Sequence, residues 1–193
     1  MGFRLVIGTA WLCISLWAGT PVFAQSKVVL HPTKGFLVLN DTAYRLDGAT
    51  LPHSDALCQS DNGNWRCGEA AWQALSERVT RGKIECVALV SLSTSVSTAD
   101  GAPAECALDG ESLNAWLVRY GWAIIDNSSG APFQEEETLA PQEALGIWRG
   151  GFIPPNNWRA SGPSDCSVCG ARHESIIRAR ERHQQNASGS NTD

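Results

Sequence analysis

From Tyr44 to Pro52 the chain reads YRLDGATLP, and His53 and Asp55 follow at once. The stretch gathers a guanidinium (Arg45), an imidazole (His53) and two carboxylates (Asp47 and Asp55). Arg45 suits an anion such as a phosphate, because its planar fork donates several hydrogen bonds together. Imidazole is a competent general base at neutral pH, so His53 is a candidate to activate water. Together they would serve as the catalytic pair of a weak secreted phosphodiesterase, the alternative to a binding role. Each group also has a plainer reading. Arg45 pairs with Asp47, Asp55 or Glu69, or lays its stem over apolar surface. His53 is an exposed loop residue behind a proline, and the two acids are solvated or cap the turn.

Two further groups of residues could carry chemistry. Cys166-x-x-Cys169 reads as a local disulfide, as a thiol-redox motif without the surrounding βαβ pattern, or as half of a zinc site with His173 and His183 at a non-standard spacing. The local disulfide is preferred. Tryptophan is abundant: Trp65, Trp72, Trp116, Trp122, Trp148 and Trp158 all lie beyond the N-terminal apolar stretch. Indole faces stack sugars and bases, but core packing is the expectation for Trp72, Trp116, Trp148 and Trp158.

The N-terminus has the layout of an export signal over residues 1–24. Arg4 supplies the positive start, Leu5 to Trp17 is an apolar run too short to span a bilayer comfortably, and Val22-Phe23-Ala24 is a small-x-small cleavage site. A retained anchor is the competing reading. A periplasmic or secreted product follows from the cleaved signal, with no membrane span. Its loss removes Arg4, which takes the formal charge of the 193-residue chain from −5 to −6 over the 169 residues that remain. An acidic product is poorly matched to nucleic acid, where Lys and Arg neutralising phosphates supply most of the affinity. Six cysteines are left, an even number that suits disulfides in an oxidising compartment. Neighbourhood along the chain favours Cys58 with Cys67, across a Gly/Asn loop, and Cys86 with Cys106, across two successive strands.

These residues have to be positioned by short elements. Val28–Leu30, Phe36–Leu39, Ala43–Asp47, Lys83–Leu92 and Ala104–Leu108 read as five strands separated by turn residues. A helix over Glu69–Thr80 follows from apolar residues at helical spacing, with Gly82 as its stop. Ser112 is an N-cap candidate for a second helix that runs to Gly121. A third is expected from Pro141 to Ile147, since proline suits a first helical turn. Residues 25–160 make one domain, and 161–193 a linker, the Cys-bearing turn, a charged helix and a disordered tail. The helix carries Arg172, Arg178, Arg180 and Arg182, a docking surface or simply solvated charge. The fold class expected is α+β: a five-stranded OB-type β-barrel with about three packing helices and the C-terminal appendage.

Four segments carry a resemblance: CQSDNGNWRCGEAAWQAL (Cys58–Leu75), the pair Cys86 and Cys106, LDGESLNAWLVRYGWAI (Leu108–Ile124), and ALGIWRGGFIPPNNWR (Ala144–Arg159). In their order and spacing they resemble the exported branch of the thermonuclease-like family, over roughly Val28 to Arg159. The resemblance implies an OB-fold nuclease framework, and it implies which positions would hold the chemistry. Nucleases of the family use two aspartates for calcium, a glutamate as base and two arginines on the phosphate. Arg45 matches the first arginine. The two metal aspartates fall on Gly35 and Thr50, the glutamate base on His53 and the second arginine on Ala102.

Four of those five positions therefore lack the required side chain. Glycine offers calcium no side-chain oxygen and threonine only a neutral one, so no cofactor is expected; calcium enters only if the phosphodiesterase reading holds. What remains is a nuclease-like pseudoenzyme. Degenerate exported members of the family include one associated with rhizobial succinoglycan, an acidic exopolysaccharide. The resemblance thus implies an accessory or binding role in envelope exopolysaccharide biosynthesis, with acidic polysaccharide or an envelope biosynthesis protein as partner.

Overall fold

The computed structural model describes residues 27–89, 101–125 and 132–153, together with positions 176, 178, 181, 182, 184 and 185. Residues 1–24 and both cysteines of the Cys166/Cys169 pair lie outside the described residues, as does Trp158.

The chain opens with an antiparallel meander of β1 (Val28–His31), β2 (Phe36–Leu39) and β3 (Thr42–Leu46). Asn40 and Asp41 turn β2 into β3 with positive φ at both residues, the geometry whose twist matches that of the flanking strands. After β4 (Ala49–Thr50) comes a hairpin of β5 (Cys58–Ser60) and β6 (Gly63–Trp65), which feeds α1 (Cys67–Val79). This helix begins two residues earlier than the periodicity of its apolar face predicts. Cys67 is joined to Cys58, so the disulfide anchors the first turn where no side chain caps it.

Strands β7 (Ile84–Ala88) and β8 (Ala102–Leu108) pair antiparallel, and Cys86 faces Cys106 across the ladder, where the two form the second disulfide. Both disulfides are those that neighbourhood favours, and both are compatible with an oxidising compartment. β8 starts two residues earlier than expected because Ala102, Pro103 and Ala104 run parallel to Tyr44, Arg45 and Leu46. The sheet order is β1-β2-β3-β8-β7, with β9 (Glu111–Ser112) added on β8. No ladder joins β7 back to β1 among the described residues, so the sheet has two outer strands and is not a closed barrel there. Among the described residues the architecture is mixed α+β, a sheet-rich core packed by helices.

Helix α2 (Leu113–Arg119) is capped as the sequence predicts, the Ser112 hydroxyl accepting from the Ala115 amide at 3.2 Å. A short β10 (Ile124–Ile125) then pairs with β4. The third helix departs from expectation. α3 spans Gln134–Gln142, and Pro141 lies in its last turn instead of its first. Its start carries Glu135, Glu136 and Glu137, which favour the positive end of a helix. Its end is set by Ala144 at positive φ, with Leu145 N–H bonding to Ala140 C=O at 3.0 Å in a Schellman-type closure. The region up to Ile147 that was expected to be helix is instead this turn and the first half of a 3-10 segment, Gly146–Arg149.

Apolar burial falls into two clusters. The first gathers Leu37, Leu46, Leu75, Ala104, Leu108, Leu113 and Leu117 between the sheet, α1 and α2. The second gathers Ala56, the Cys58–Cys67 disulfide, Ile147, Trp148, Phe152 and the C-terminal Ile176. Trp72 and Trp148 are buried, as their expected core role requires. Trp72 also donates its Nε1–H to the Pro52 carbonyl at 2.9 Å. Trp116 is only half-buried: it packs against the first cluster, while the Arg78 guanidinium lies 5.0 Å from its ring centroid. No helix among the described residues is long and apolar enough to cross a membrane.

Candidate functional site

Alternation along β3 sends Tyr44 and Leu46 to one face and Arg45 to the other, where it is exposed. The parallel ladder with β8 then sets Tyr44 opposite Ala102 and Arg45 opposite Pro103. Gly101, at φ +79°, is wedged behind them. A Cβ there would stand 3.1 Å from the Tyr44 carbonyl carbon, 3.2 Å from the Arg45 nitrogen and 3.3 Å from Phe36 Cβ. Phe36 opens β2 directly after Gly35, which takes φ +76° in the turn closed by its amide on the His31 carbonyl at 2.9 Å. Three positions far apart in sequence, Gly35, Arg45 and Ala102, are thus neighbours at one end of the main sheet.

That end is cationic. The Lys34 ammonium lies 5.8 Å from the Phe36 ring centroid, and the His31 ring 4.8 Å from it on a tilted approach. Arg45 has no hydrogen-bond or ion-pair partner for its side chain among the described residues. Of the acids expected to engage it, Asp55 faces His53 and Glu69 pairs with Arg66 at 3.4 Å. Two of the three acids anticipated for Arg45 are therefore engaged elsewhere, and its exposed guanidinium faces solvent.

Thr50 and His53 are not part of this gathering. Thr50 sits on β4 in the two-stranded ladder opposite Ile124. His53 is built into the turn that leads to β5: its carbonyl accepts from Ala56 at 2.9 Å and its Nδ1 accepts from the Asp55 amide at 3.4 Å. Asp55 Oδ2 lies 3.6 Å from the same nitrogen. Nδ1 of His53 thus faces both the amide and the carboxylate of Asp55. No hydrogen bond or ion pair joins His53 to Arg45. The donor set does not fit calcium either, since Gly35 brings no side-chain oxygen and Thr50 brings a neutral one on a different ladder.

At the other end of β8 a lysine is held off its ordinary value. Lys83 is held above the ordinary lysine value by its hydrogen bond to Glu85, then by the charge of Glu85 and of Asp109. That exposed pair loses its attraction only as pH rises through the raised lysine value, and it does not bear on Arg45.

Sequence reasoning missed Asn114, the one buried polar residue among the described residues, at zero exposure. Its Oδ1 accepts from the Cys106 amide at 3.1 Å, and its Nδ2 donates to the carbonyls of Asp47 at 2.8 Å and Ala104 at 3.1 Å. Asn114 therefore ties α2 to β8 and to the chain leaving β3, two residues beyond Arg45. An asparagine amid apolar neighbours in a short helix was the available signal. The chain matches no protein-family model and no curated protein.

Proposed function

We propose that this chain is an exported protein with a nuclease-type OB framework and a degenerate active site, and that it serves as a non-catalytic binding or accessory component of envelope exopolysaccharide (succinoglycan) biosynthesis. Its partner on this reading is an acidic polysaccharide or an envelope biosynthesis protein. Strand order and the parallel β3/β8 pairing agree with an OB-type framework, in which the first three strands form a meander and the last two pair beside the third.

One observation carries the reading. The positions that would hold a metal ligand and two phosphate-binding arginines do converge at one end of the sheet, yet they bring glycine, alanine and a single arginine. In-line hydrolysis of a phosphodiester needs a positioned water and cations that stabilise the developing charge. Arg45 with Lys34 supplies attraction for an anion but no means of activating water. His53 stands in a separate turn against Asp55, with no hydrogen bond or ion pair to Arg45.

The test is cleavage of single-stranded DNA and RNA by the purified protein, with calcium and with chelator, beside Arg45→Ala and His53→Ala. Calcium-dependent turnover that both substitutions abolish overturns the pseudoenzyme reading in favour of a phosphodiesterase. Absence of turnover above a mock preparation, together with retention on an acidic polysaccharide column, supports it.

A further inference from the structure

The second cluster holds a second exposed guanidinium in a built setting. Arg149 ends the 3-10 segment, and its guanidinium carbon lies 4.3 Å from the ring centroid of Trp65 and 6.0 Å from that of Trp122. Its Nε donates to the Gly146 carbonyl at 3.0 Å, which fixes the side chain and leaves the two terminal nitrogens without a hydrogen-bond or ion-pair partner among the described residues.

The three residues are brought together by contacts that tolerate little change. Gly121 and Gly146 meet back to back, both at positive φ: a Cβ on Gly146 would stand 2.2 Å from the Gly121 carbonyl oxygen. Ile147 N–H bonds to that same oxygen at 2.9 Å, and so Trp122 is set beside the segment that carries Arg149. On the other side, Gly150 presses on Gln59, whose carbonyl oxygen would be 1.8 Å from an added Cβ. Gln59 N–H bonds to Gly151 C=O at 2.7 Å, and Phe152 bridges to Cys58, the strand partner of Trp65. The Cys58–Cys67 disulfide closes this hairpin onto α1.

We infer that Trp65, Arg149 and Trp122 form a subsite for a carboxylate-bearing sugar residue of an acidic glycan. A guanidinium fork matches a carboxylate with two parallel hydrogen bonds, and indole rings beside it offer apolar faces for the C–H side of a pyranose. A guanidinium already packed along indole loses less freedom on binding than a free side chain, because its orientation is set beforehand. A phosphate of a nucleic acid would use the same fork, but a single guanidinium flanked by two indoles suits one carboxylated pyranose better than a phosphate backbone, whose binding draws on several Lys and Arg contacts. The inference rests on the glycan reading proposed above, and it adds both the chemical class recognised and the residues that recognise it.

The experiment is titration calorimetry of the full protein with hexagalacturonate, and with maltohexaose as the neutral counterpart. Wild type should bind the uronate and not maltohexaose. Arg149→Gln should weaken uronate binding at least about tenfold, since a charge-assisted bidentate contact is lost. Arg149→Lys, which keeps charge without the fork, should fall between, and Arg81→Gln, on exposed surface after α1, should bind as wild type does. No uronate binding by wild type overturns the subsite. So does binding that Arg149→Gln leaves intact, or a loss on Arg45→Gln in its place; in either of these cases the glycan reading stands. Nuclease turnover alongside Arg149-dependent uronate binding would remove the pseudoenzyme reading and leave the subsite in place.

Discussion

The two apolar clusters are held by different means. In the first, a continuous sheet, α1 and α2 enclose leucines, and the Cys86–Cys106 disulfide links strands already paired over five positions from Ile84↔Leu108 to Ala88↔Ala104. In the second, a two-stranded hairpin, a 3-10 segment and one isolated bridge surround Phe152 and Trp148, and the Cys58–Cys67 disulfide joins pieces that share few ladder bonds. Ladder and core make the first cluster self-supporting, whereas the second depends on its crosslink and on close glycine contacts. The difference teaches where rigidity was placed: the weaker scaffold carries Arg149, and the stronger one carries Arg45.

The largest expected effect tests the first cluster. Asn114→Leu strands the Cys106 amide and the Asp47 and Ala104 carbonyls, at about 1–3 kcal/mol for each unmet group. Urea denaturation should show a single transition at a much lower midpoint. A loss below about 1 kcal/mol would mean that water replaces the side chain, contrary to its complete burial.

Phe152→Ala tests the second cluster, where a fully buried aromatic ring is removed, at about 3–5 kcal/mol. Hydrogen exchange distinguishes the clusters. Faster exchange at Gln59 and Gly68, with Cys106 and Leu108 still protected, means that the second cluster opens by itself. Uniform acceleration would erase the comparison and make the domain one cooperative unit.

Replacing each cystine pair by serines sharpens the contrast. Loop-closure entropy alone gives similar losses for the two, about 3 kcal/mol each, because the closed loops differ little on a logarithmic scale. The local consequences should differ. Without Cys58–Cys67 the hairpin and Trp65 lose their order, read as a change in indole fluorescence, while the β7/β8 ladder survives loss of Cys86–Cys106. Equal fluorescence changes in the two variants would contradict the unequal reliance proposed here. The smallest effect is Ser112→Ala, about 1 kcal/mol from a lost N-cap, seen as a lowered thermal midpoint with the spectra unchanged.

Much of the fold was legible because it is encoded locally. The Phe36–Leu39 strand, the α1 face and the Ser112 cap each follow from residues within a turn or two of one another. The two disulfides were legible because short loops bring their partners close. Misreading Pro141 as a helix start has an equally local cause. Proline suits a first turn because its missing N–H has no partner there, but Pro141 stands in the last turn of α3, whose acidic first turn at Glu135, Glu136 and Glu137 sets an earlier start.

The candidate site was legible only as a set of positions. Arg45 stood out beside His53, Asp47 and Asp55 in one short stretch, but that Asp55 faces His53 and Glu69 pairs with Arg66 could not be read from the spacing. That His53 sits in its own turn against Asp55, away from Arg45, likewise could not be read from the spacing.

By itself the sequence determined the five strands of the main sheet, though not the short β4, β5, β6, β9 and β10, together with the α1 face, the Ser112 cap and the cysteine neighbours, since each depends on side-chain periodicity or on a short closed loop. Only the tertiary structure decided that β3 and β8 run parallel, which puts Ala102 beside Tyr44 and Arg45 at the sheet end. It alone decided that Asn114 answers three backbone groups and that Arg149 lies between Trp65 and Trp122. The reason is physical: such contacts join segments separated by many residues, and their geometry is set by how whole elements pack, for which no local pattern of residue types exists.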